Sequence, residues 1–170
     1  MLVKANTILR QPIEEDIQAL LSMRNNIELQ SLLMSRAKPN TSEKINEWLK
    51  RKLSDESSVF FIIADASTNQ LAGYLQFVNI DFLNRRGELG ICLDPAKQGQ
   101  GYAANALSLL EVYLKDVFNI KKITLQVLQQ NSSAINFYLK SGYMQVGIYK
   151  EHFYQRNFFH DVLIMEKQIQ

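Results

Sequence analysis

The chain has 170 residues, a length typical of one domain with enough residues to bury a sizeable core. The formal net charge is only +2 and no run of Lys and Arg forms a basic stripe, which argues against nucleic-acid binding. A single cysteine excludes a disulfide framework and a cysteine-rich metal cluster.

The N-terminal stretch MLVKANTILRQ lacks the apolar segment of a signal peptide, and no apolar run approaches the length that spans a bilayer. We therefore expect a soluble, cytoplasmic protein that does not bind a membrane. Within that stretch, LVKANTILR is typical of a first strand, and Pro12 favours a helix that starts there. The region NTSEKINEWLKRKL predicts a second helix, with Thr41 or Ser42 as its N-cap.

The middle and the end of the chain alternate between strand and helix patterns. VFFIIAD, LAGYLQFVNI and GELGICL are predicted strands, and YAANALSLLEVYLKDVF is the strongest predicted helix. KKITLQVLQ predicts a strand, SSAINFYLKSG a short helix that Gly142 ends, and the last segment a hairpin around residues 155–157. The order predicts a mixed α/β fold in one domain over residues 1–170, with the two strands around residues 88–128 parallel.

Two glycines lie where GELGICL passes into the strongest helix, within DPAKQGQGYAANAL. A turn without bulky side chains lets backbone N–H groups approach a ligand, and a helix start adds unpaired N–H groups and positive potential. Gly99 and Gly101 therefore indicate an anion site, with a simple tight turn as the alternative. The Walker and Rossmann glycine patterns are both missing.

The spacing of Gln98, Gly101 and Ala103, followed by the pattern from Asn131 to Tyr143 (NSSAINFYLKSGY), resembles the GCN5-related N-acetyltransferase (GNAT) family. The ending YQRNFFHDVLIM is similar to the branch with ribosomal-protein N-terminal, spermidine and amino-sugar acetyltransferases. The resemblance implies a central, mostly antiparallel mixed sheet of six to seven strands with about four flanking helices. It also implies acetyl-CoA as co-substrate. No metal is expected, because His152 and His160 lack matched carboxylate spacing.

The resemblance implies two catalytic groups for direct acetyl transfer in a ternary complex. Glu88 is the expected base for the acceptor amine, with an exposed strand carboxylate, or a bound water as base, as the alternatives. Tyr138 is the expected acid for the departing thiolate, and spacing alone would also fit a core aromatic. Cys92 is not expected to act as a nucleophile, because a lone cysteine in an apolar strand is usually inert.

The resemblance also implies the groups that hold acetyl-CoA. The N–H of Ile91 or Cys92, at a bulge in the strand, is expected to stabilise the oxyanion, while Leu93 pairs with the pantetheine arm. Asn131 is expected to bond to pantetheine, to cap its helix, or both. The pyrophosphate would lie on the turn residues Gln98, Gly99, Gln100, Gly101, Tyr102 and Ala103.

The acceptor is expected to lie against residues of the N-terminal half, namely Arg24, Met34, Arg36 and Trp48. Their basic and aromatic character favours a nucleotide-linked amino sugar. The alternatives are a polyamine or a protein N-terminal amine, and a non-catalytic CoA-binding module on the same fold. The expected partners are thus a small-molecule amine or a peptide N-terminus, with a homodimer as a candidate assembly.

Overall fold

The computed structural model describes residues 2–169, which form eight strands and five α-helices around one sheet. The strands and helices, in chain order, are β1 Leu2–Lys4, β2 Thr7–Arg10, α1 Ile17–Asn25, α2 Ile27–Leu32, α3 Ser42–Ser54, β3 Val59–Asp65, β4 Leu71–Asp81, β5 Arg86–Leu93, α4 Tyr102–Phe118, β6 Lys122–Leu128, α5 Ser132–Lys140, β7 Met144–Gln155 and β8 Phe158–Gln168.

The sheet order is β1-β2-β3-β4-β5-β6-β8-β7. All neighbouring strands are antiparallel except β5 and β6, which are parallel because α4 connects them. The mixed α/β fold, the mostly antiparallel sheet and the parallel pair are therefore confirmed. The strand count exceeds the prediction because LVKANTILR is a hairpin of two short strands, with Ala5 at a φ of 51° in its turn.

Helices cover both faces of the sheet. One face, which we call the α3 face, packs Ile62, Tyr74 and Cys92 against α1, α2 and α3. The opposite α4 face packs Ile63 and Leu75 against α4 and α5. Successive strand residues point to opposite faces, so the nearly continuous apolar runs of β3 and β4 supply both cores.

The first helix starts later than predicted, and a second short helix follows it. After Pro12 the chain makes a single 3₁₀ turn over Glu14–Asp16, and α1 begins at Ile17. The helix α2 was not predicted; it has only six residues, and Asn26 caps it by accepting from the Leu29 N–H at 3.0 Å. Such a short helix carries too little periodicity to be recognised in a sequence.

Other predicted boundaries are confirmed. Thr41 caps α3 and accepts from the Lys44 N–H at 3.4 Å. Gly142 follows α5 with a φ of 87°, and Arg156 and Asn157 form the turn between β7 and β8. Within residues 2–169, no helix has the length and apolar character needed to cross a membrane.

Candidate active site

The sheet opens between β5 and β6. The two strands pair only over Arg86–Glu88 and Lys122–Thr124, although β5 continues to Leu93 and β6 to Leu128. Among the described residues, β5 and β6 form no backbone pair after Glu88 and Thr124. A cavity of about 540 Å³ occupies this opening and extends to both faces of the sheet.

Most of the residues singled out in the sequence line this one cavity. They are Arg24, Met34, Trp48, Glu88, Ile91, Cys92, Leu93, Gln98, Gly99, Ala103, Asn131 and Tyr138. Four others do not line it. Gln100, Gly101 and Tyr102 lie in the adjoining turn, and Arg36 lines a second cavity next to the first.

Glu88 lies on β5 and pairs with Val78 of β4, two residues before the Gly90–Gln76 pair. Glu88 is one residue from Leu89, which lies on the α4 face, and four residues from Cys92, which lies on the α3 face. Its side chain is therefore on the α3 face. Burial of about half the group raises the pKa of its carboxyl above the usual value of 4.5. A carboxylate with a raised pKa is a stronger base, as proton abstraction from an amine requires.

Tyr138 reaches the same cavity from α5 and belongs to the core of the α4 face. Its ring packs against Phe137 and Tyr143, and only 7% of the residue is exposed. Burial raises the pKa of the Tyr138 hydroxyl, which keeps the proton on the group at neutral pH and makes it a weaker acid than an exposed phenol. Glu88 and Tyr138 thus approach the cavity from opposite faces of the sheet.

The register of β5 determines where its backbone N–H groups point. The Asp94 N–H donates to Ala72 O of β4 at 2.9 Å. In an antiparallel pair every second residue bonds to the neighbouring strand, so the N–H groups that point to β4 are those two and four residues before Asp94. The Cys92 N–H therefore points to β4, whereas the N–H groups of Ile91 and Leu93 point into the opening. No bulge interrupts β5 between Glu88 and Leu93, since the irregularity with β4 lies between Val78 and Asp81.

The glycine turn leads directly into α4. Gly99 and Gly101 have φ values of 74° and 87°, which side chains of L-residues disfavour. A Cβ at Gly99 would meet no atom within 4 Å, so the turn leaves open space beside its backbone. The first intrahelical bond is from Asn105 N–H to Gly101 O, which leaves the preceding N–H groups of α4 for a ligand.

Three side chains of the turn region already have partners. The Gln100 side chain donates to Ala96 O at 3.0 Å, and the Tyr102 hydroxyl donates to Asp65 at 2.6 Å. Asn131 caps α5 by accepting from the Ala134 N–H at 3.2 Å. Gln100 and Tyr102 therefore offer a ligand their backbone. Asn131 lines the cavity, and its cap uses Oδ1 and not the side-chain NH₂.

The N-terminal half forms the wall of the cavity on the α3 face. The Arg24 guanidinium lies 4.3 Å from the centre of the Trp48 ring, a cation–π contact. Trp48 in turn meets Phe60 and Tyr74 edge-on, with ring centres 5.3 and 5.5 Å apart, and only 9% of the residue is exposed. The indole is therefore a fixed wall of the cavity.

Several lining residues were missed in the sequence, and Gln76 and Lys52 are two of the polar ones. Gln76 on β4 lies beside Gly90, where an added Cβ would come within 3.1 Å of its amide nitrogen, and its Oε1 is buried without a hydrogen-bond partner among the described residues. A glutamine inside the apolar run LAGYLQFVNI was the available signal. Lys52 comes from α3, and burial, as the largest cause, lowers the pKa of its ammonium group.

Cys92 is 3% exposed, and burial raises the pKa of its thiol to about 12. A neutral, buried thiol is a poor nucleophile, so the geometry does not favour an acetyl-cysteine intermediate.

Comparison with known proteins identifies the class of this site. The family model described as "Acetyltransferase (GNAT) domain" matches residues 6–144, from the turn before β2 to the start of β7. The chain therefore belongs to the GNAT acetyltransferase family, as the two sequence motifs predicted. It is an N-acetyltransferase, and the alternative of a non-catalytic module on the same fold is set aside.

Its relatives include spermidine acetyltransferases. Spermidine N(1)-acetyltransferase of Vibrio cholerae serotype O1 is 25% identical over 147 residues, which cover 86% of this chain and 84% of the relative. The Escherichia coli K12 enzyme of the same name is 27% identical over 144 residues, 84% and 76% of the two chains. A crystal structure of the V. cholerae spermidine N-acetyltransferase, in complex with CoA and spermine, has the same fold, with a TM-score of 0.88, 23% identity and coverage of 98% and 97%.

Proposed function

We propose that this enzyme transfers the acetyl group of acetyl-CoA directly to a primary amine in the cavity between β5 and β6. One observation carries the proposal: Glu88 and Tyr138 line the same cavity but reach it from opposite faces of the sheet. An acceptor that enters from the α3 face meets Glu88, and a thiolate that leaves towards α5 meets Tyr138.

Glu88 prepares the acceptor. A primary amine is mostly protonated at neutral pH and cannot attack until a base takes one proton. Burial raises the pKa of Glu88, which makes its carboxylate a stronger base.

Tyr138 assists the leaving group. The neutral amine nitrogen attacks the thioester carbonyl carbon and loses one proton to solvent as the carbon–sulfur bond breaks. The sulfur takes the proton of the Tyr138 hydroxyl, which solvent then restores. The Ile91 N–H points into the opening and is the proposed donor to the carbonyl oxygen while it carries negative charge.

The proposed acetyl-CoA subsite uses backbone groups of the opened sheet and of the glycine turn. The N–H of Leu93 also points into the opening and would pair with pantetheine as an added strand does, with the Asn131 amide beside it. The pyrophosphate would take the N–H groups of residues 99–103 at the start of α4.

The acceptor has two supported classes. The names of the relatives favour a polyamine such as spermidine. The cavity lining favours an acceptor that carries negative charge. Among the described residues it includes two cations, Arg24 and Lys52, and one carboxylate, Glu88. A polycation gains little from such a wall, so we propose a nucleotide-linked amino sugar first and a polyamine second.

Initial-rate kinetics test the direct transfer. CoA release is measured while acetyl-CoA and an amine are both varied, and a ternary complex gives intersecting double-reciprocal lines. Parallel lines would indicate a covalent acetyl-enzyme and contradict the proposal. Cys92→Ala gives the matched check, because direct transfer does not need the thiol.

A further inference from the structure

A second cavity, of about 590 Å³, lies beside the first, between the end of α1, the segment 35–40 and α3. Its charged lining residues are Arg24, Arg36, Lys38, Lys44, Glu47 and Arg51. Five cations thus face one carboxylate. Within residues 2–169, none of the five forms an ion pair.

The two cavities share a wall. Arg24 and Trp48 line both, with the guanidinium lying over the indole. The Arg24 Nε is buried and has no hydrogen-bond partner among the described residues. A buried, unpaired charged donor is costly, so an anion that accepts from it would be stabilised.

The cavity is held in shape before a ligand arrives. The Asn40 N–H donates to Asn25 Oδ1 at 2.9 Å, and the Asn40 side chain donates to Lys38 O at 2.7 Å. The Lys44 ammonium donates to Pro39 O at 3.2 Å. These bonds fix the 35–40 segment against α1 and α3, so little conformational entropy is lost on binding.

We propose that the second cavity binds a phosphate or diphosphate group carried by the acceptor, whose amine then reaches Glu88 in the first cavity. This inference rests on the proposed function, since it takes the first cavity as the site of acetyl transfer. Arg and Lys together suit a phosphate, which accepts several charge-assisted hydrogen bonds. The glycine turn proposed for CoA is a separate site, because Gln98 and Gly99 line only the first cavity.

Binding of UDP, a nucleoside diphosphate, tests the subsite in protein saturated with CoA, so that the glycine turn is filled. We expect measurable heat in calorimetry and at least a roughly tenfold weaker affinity in Arg36→Gln and in Arg51→Gln, about the loss of one charge-assisted bond. Lys50→Gln is the matched control, because Lys50 is exposed on α3 and does not line the cavity. Absence of binding, loss of binding when CoA is added, or an equal effect in Lys50→Gln would overturn the proposal.

Turnover separates this inference from the proposed function. An amino sugar, its nucleoside-diphosphate-linked form and spermidine are compared as acceptors. We expect the linked form to have the lowest KM, and Arg36→Gln and Arg51→Gln to raise it. If spermidine is acetylated and the linked form is not, the phosphate subsite is wrong and acetyl transfer stands. If UDP binds as expected and no amine is acetylated, the phosphate site stands and the proposed function fails.

Discussion

Glu88 is half buried, and burial raises the pKa of its carboxyl above 4.5 in the folded chain. Between pH 4.5 and that raised value the folded state holds more protons than the unfolded state. The free energy of unfolding therefore falls as pH rises through this window. At neutral pH Glu88 is ionised, and this buried charge lowers the free energy of unfolding. The same ionised form is the one that can accept a proton from the acceptor amine.

Glu88→Gln should therefore separate activity from stability. We expect lower turnover at neutral pH, with recovery as pH approaches the acceptor's own pKa, because solvent then deprotonates the amine. The melting temperature of the variant should equal or exceed that of the wild type at pH 7, and the difference should vanish at pH 4. The measurements are a pH–rate profile and thermal melts at both pH values. An unshifted profile with normal activity would leave Glu88 as an ordinary strand residue.

Tyr138→Phe removes a hydroxyl and keeps the ring that packs against Phe137 and Tyr143. We expect kcat to fall about a hundredfold with little change in the KM for acetyl-CoA, because the proton is needed only as the thiolate leaves. Steady-state kinetics at saturating acceptor give both constants. Single-turnover experiments measure the rate constant of acetyl transfer without product release. If that rate constant is unchanged in the variant, Tyr138 belongs to the core alone.

At this scale the sequence predicted the motif residues together with Arg24, Met34 and Trp48, and it missed other polar residues that line the cavity. Glu88 and Tyr138 follow from strand alternation and from motif spacing. Gln76 and Lys52 reach the cavity from β4 and α3, and only the folded arrangement brings them to β5. The choice between Ile91 and Cys92 also stayed open, because the direction of a backbone N–H depends on which neighbouring strand pairs with it.

At the scale of elements, the glycine turn before α4 has an internal control. Gly99 and Gly142 both have positive φ, 74° and 87°, but Gly142 lies after α5, beside the Lys167 side chain. Alanine at either position should destabilise the fold by about 1 kcal/mol, because the left-handed region disfavours a Cβ. Only Gly99→Ala should also weaken acetyl-CoA binding, by roughly tenfold.

Calorimetric titration with acetyl-CoA and urea unfolding of both variants measure the two effects. Equal affinity for acetyl-CoA in Gly99→Ala and Gly142→Ala would show that the turn is only a turn, which was the alternative raised by the sequence.

The long elements were predictable and the short ones were not. The helix α4 and the strand β6 show clear periodicity, and β3, β4 and β5 are apolar-rich runs of seven residues or more. The six-residue α2 and the three-residue β1 show neither pattern, and tertiary contacts decide them. Val117 shows the same limit within α4: its spacing from Leu110 and Leu114 predicts the apolar face, but the residue is exposed, and Phe118 packs on the core instead.

On the scale of the whole molecule, a buried ion pair joins β2 to the start of α1. Arg10 Nη1 and Nη2 donate to the two oxygens of Asp16 at 2.7 and 2.9 Å, with side chains only 8% and 3% exposed. The same guanidinium donates to Asn69 in the turn between β3 and β4. The pair thus connects three segments through residues that do not line the cavity.

Asp16→Ala should lower the free energy of unfolding by about 3–5 kcal/mol, because it leaves the Arg10 charge buried and uncompensated. Lys150→Gln is the control: it breaks the Lys150–Asp161 pair, in which the lysine is 72% exposed, and should cost about 1 kcal/mol or less. Urea unfolding gives both values. Equal losses in the two variants would contradict the assigned role of the Arg10–Asp16 pair.

The central claim is that the opening between β5 and β6 transfers acetyl from acetyl-CoA to a primary amine. Acceptor-dependent release of CoA, followed with a thiol reagent across a panel of polyamines, amino sugars, nucleotide-linked amino sugars and peptides, tests it most directly. We predict release that requires a primary amine, equals the N-acetyl product in amount and falls about a hundredfold in Tyr138→Phe. Release that is the same with and without every amine in the panel, from protein that binds acetyl-CoA, would contradict the claim.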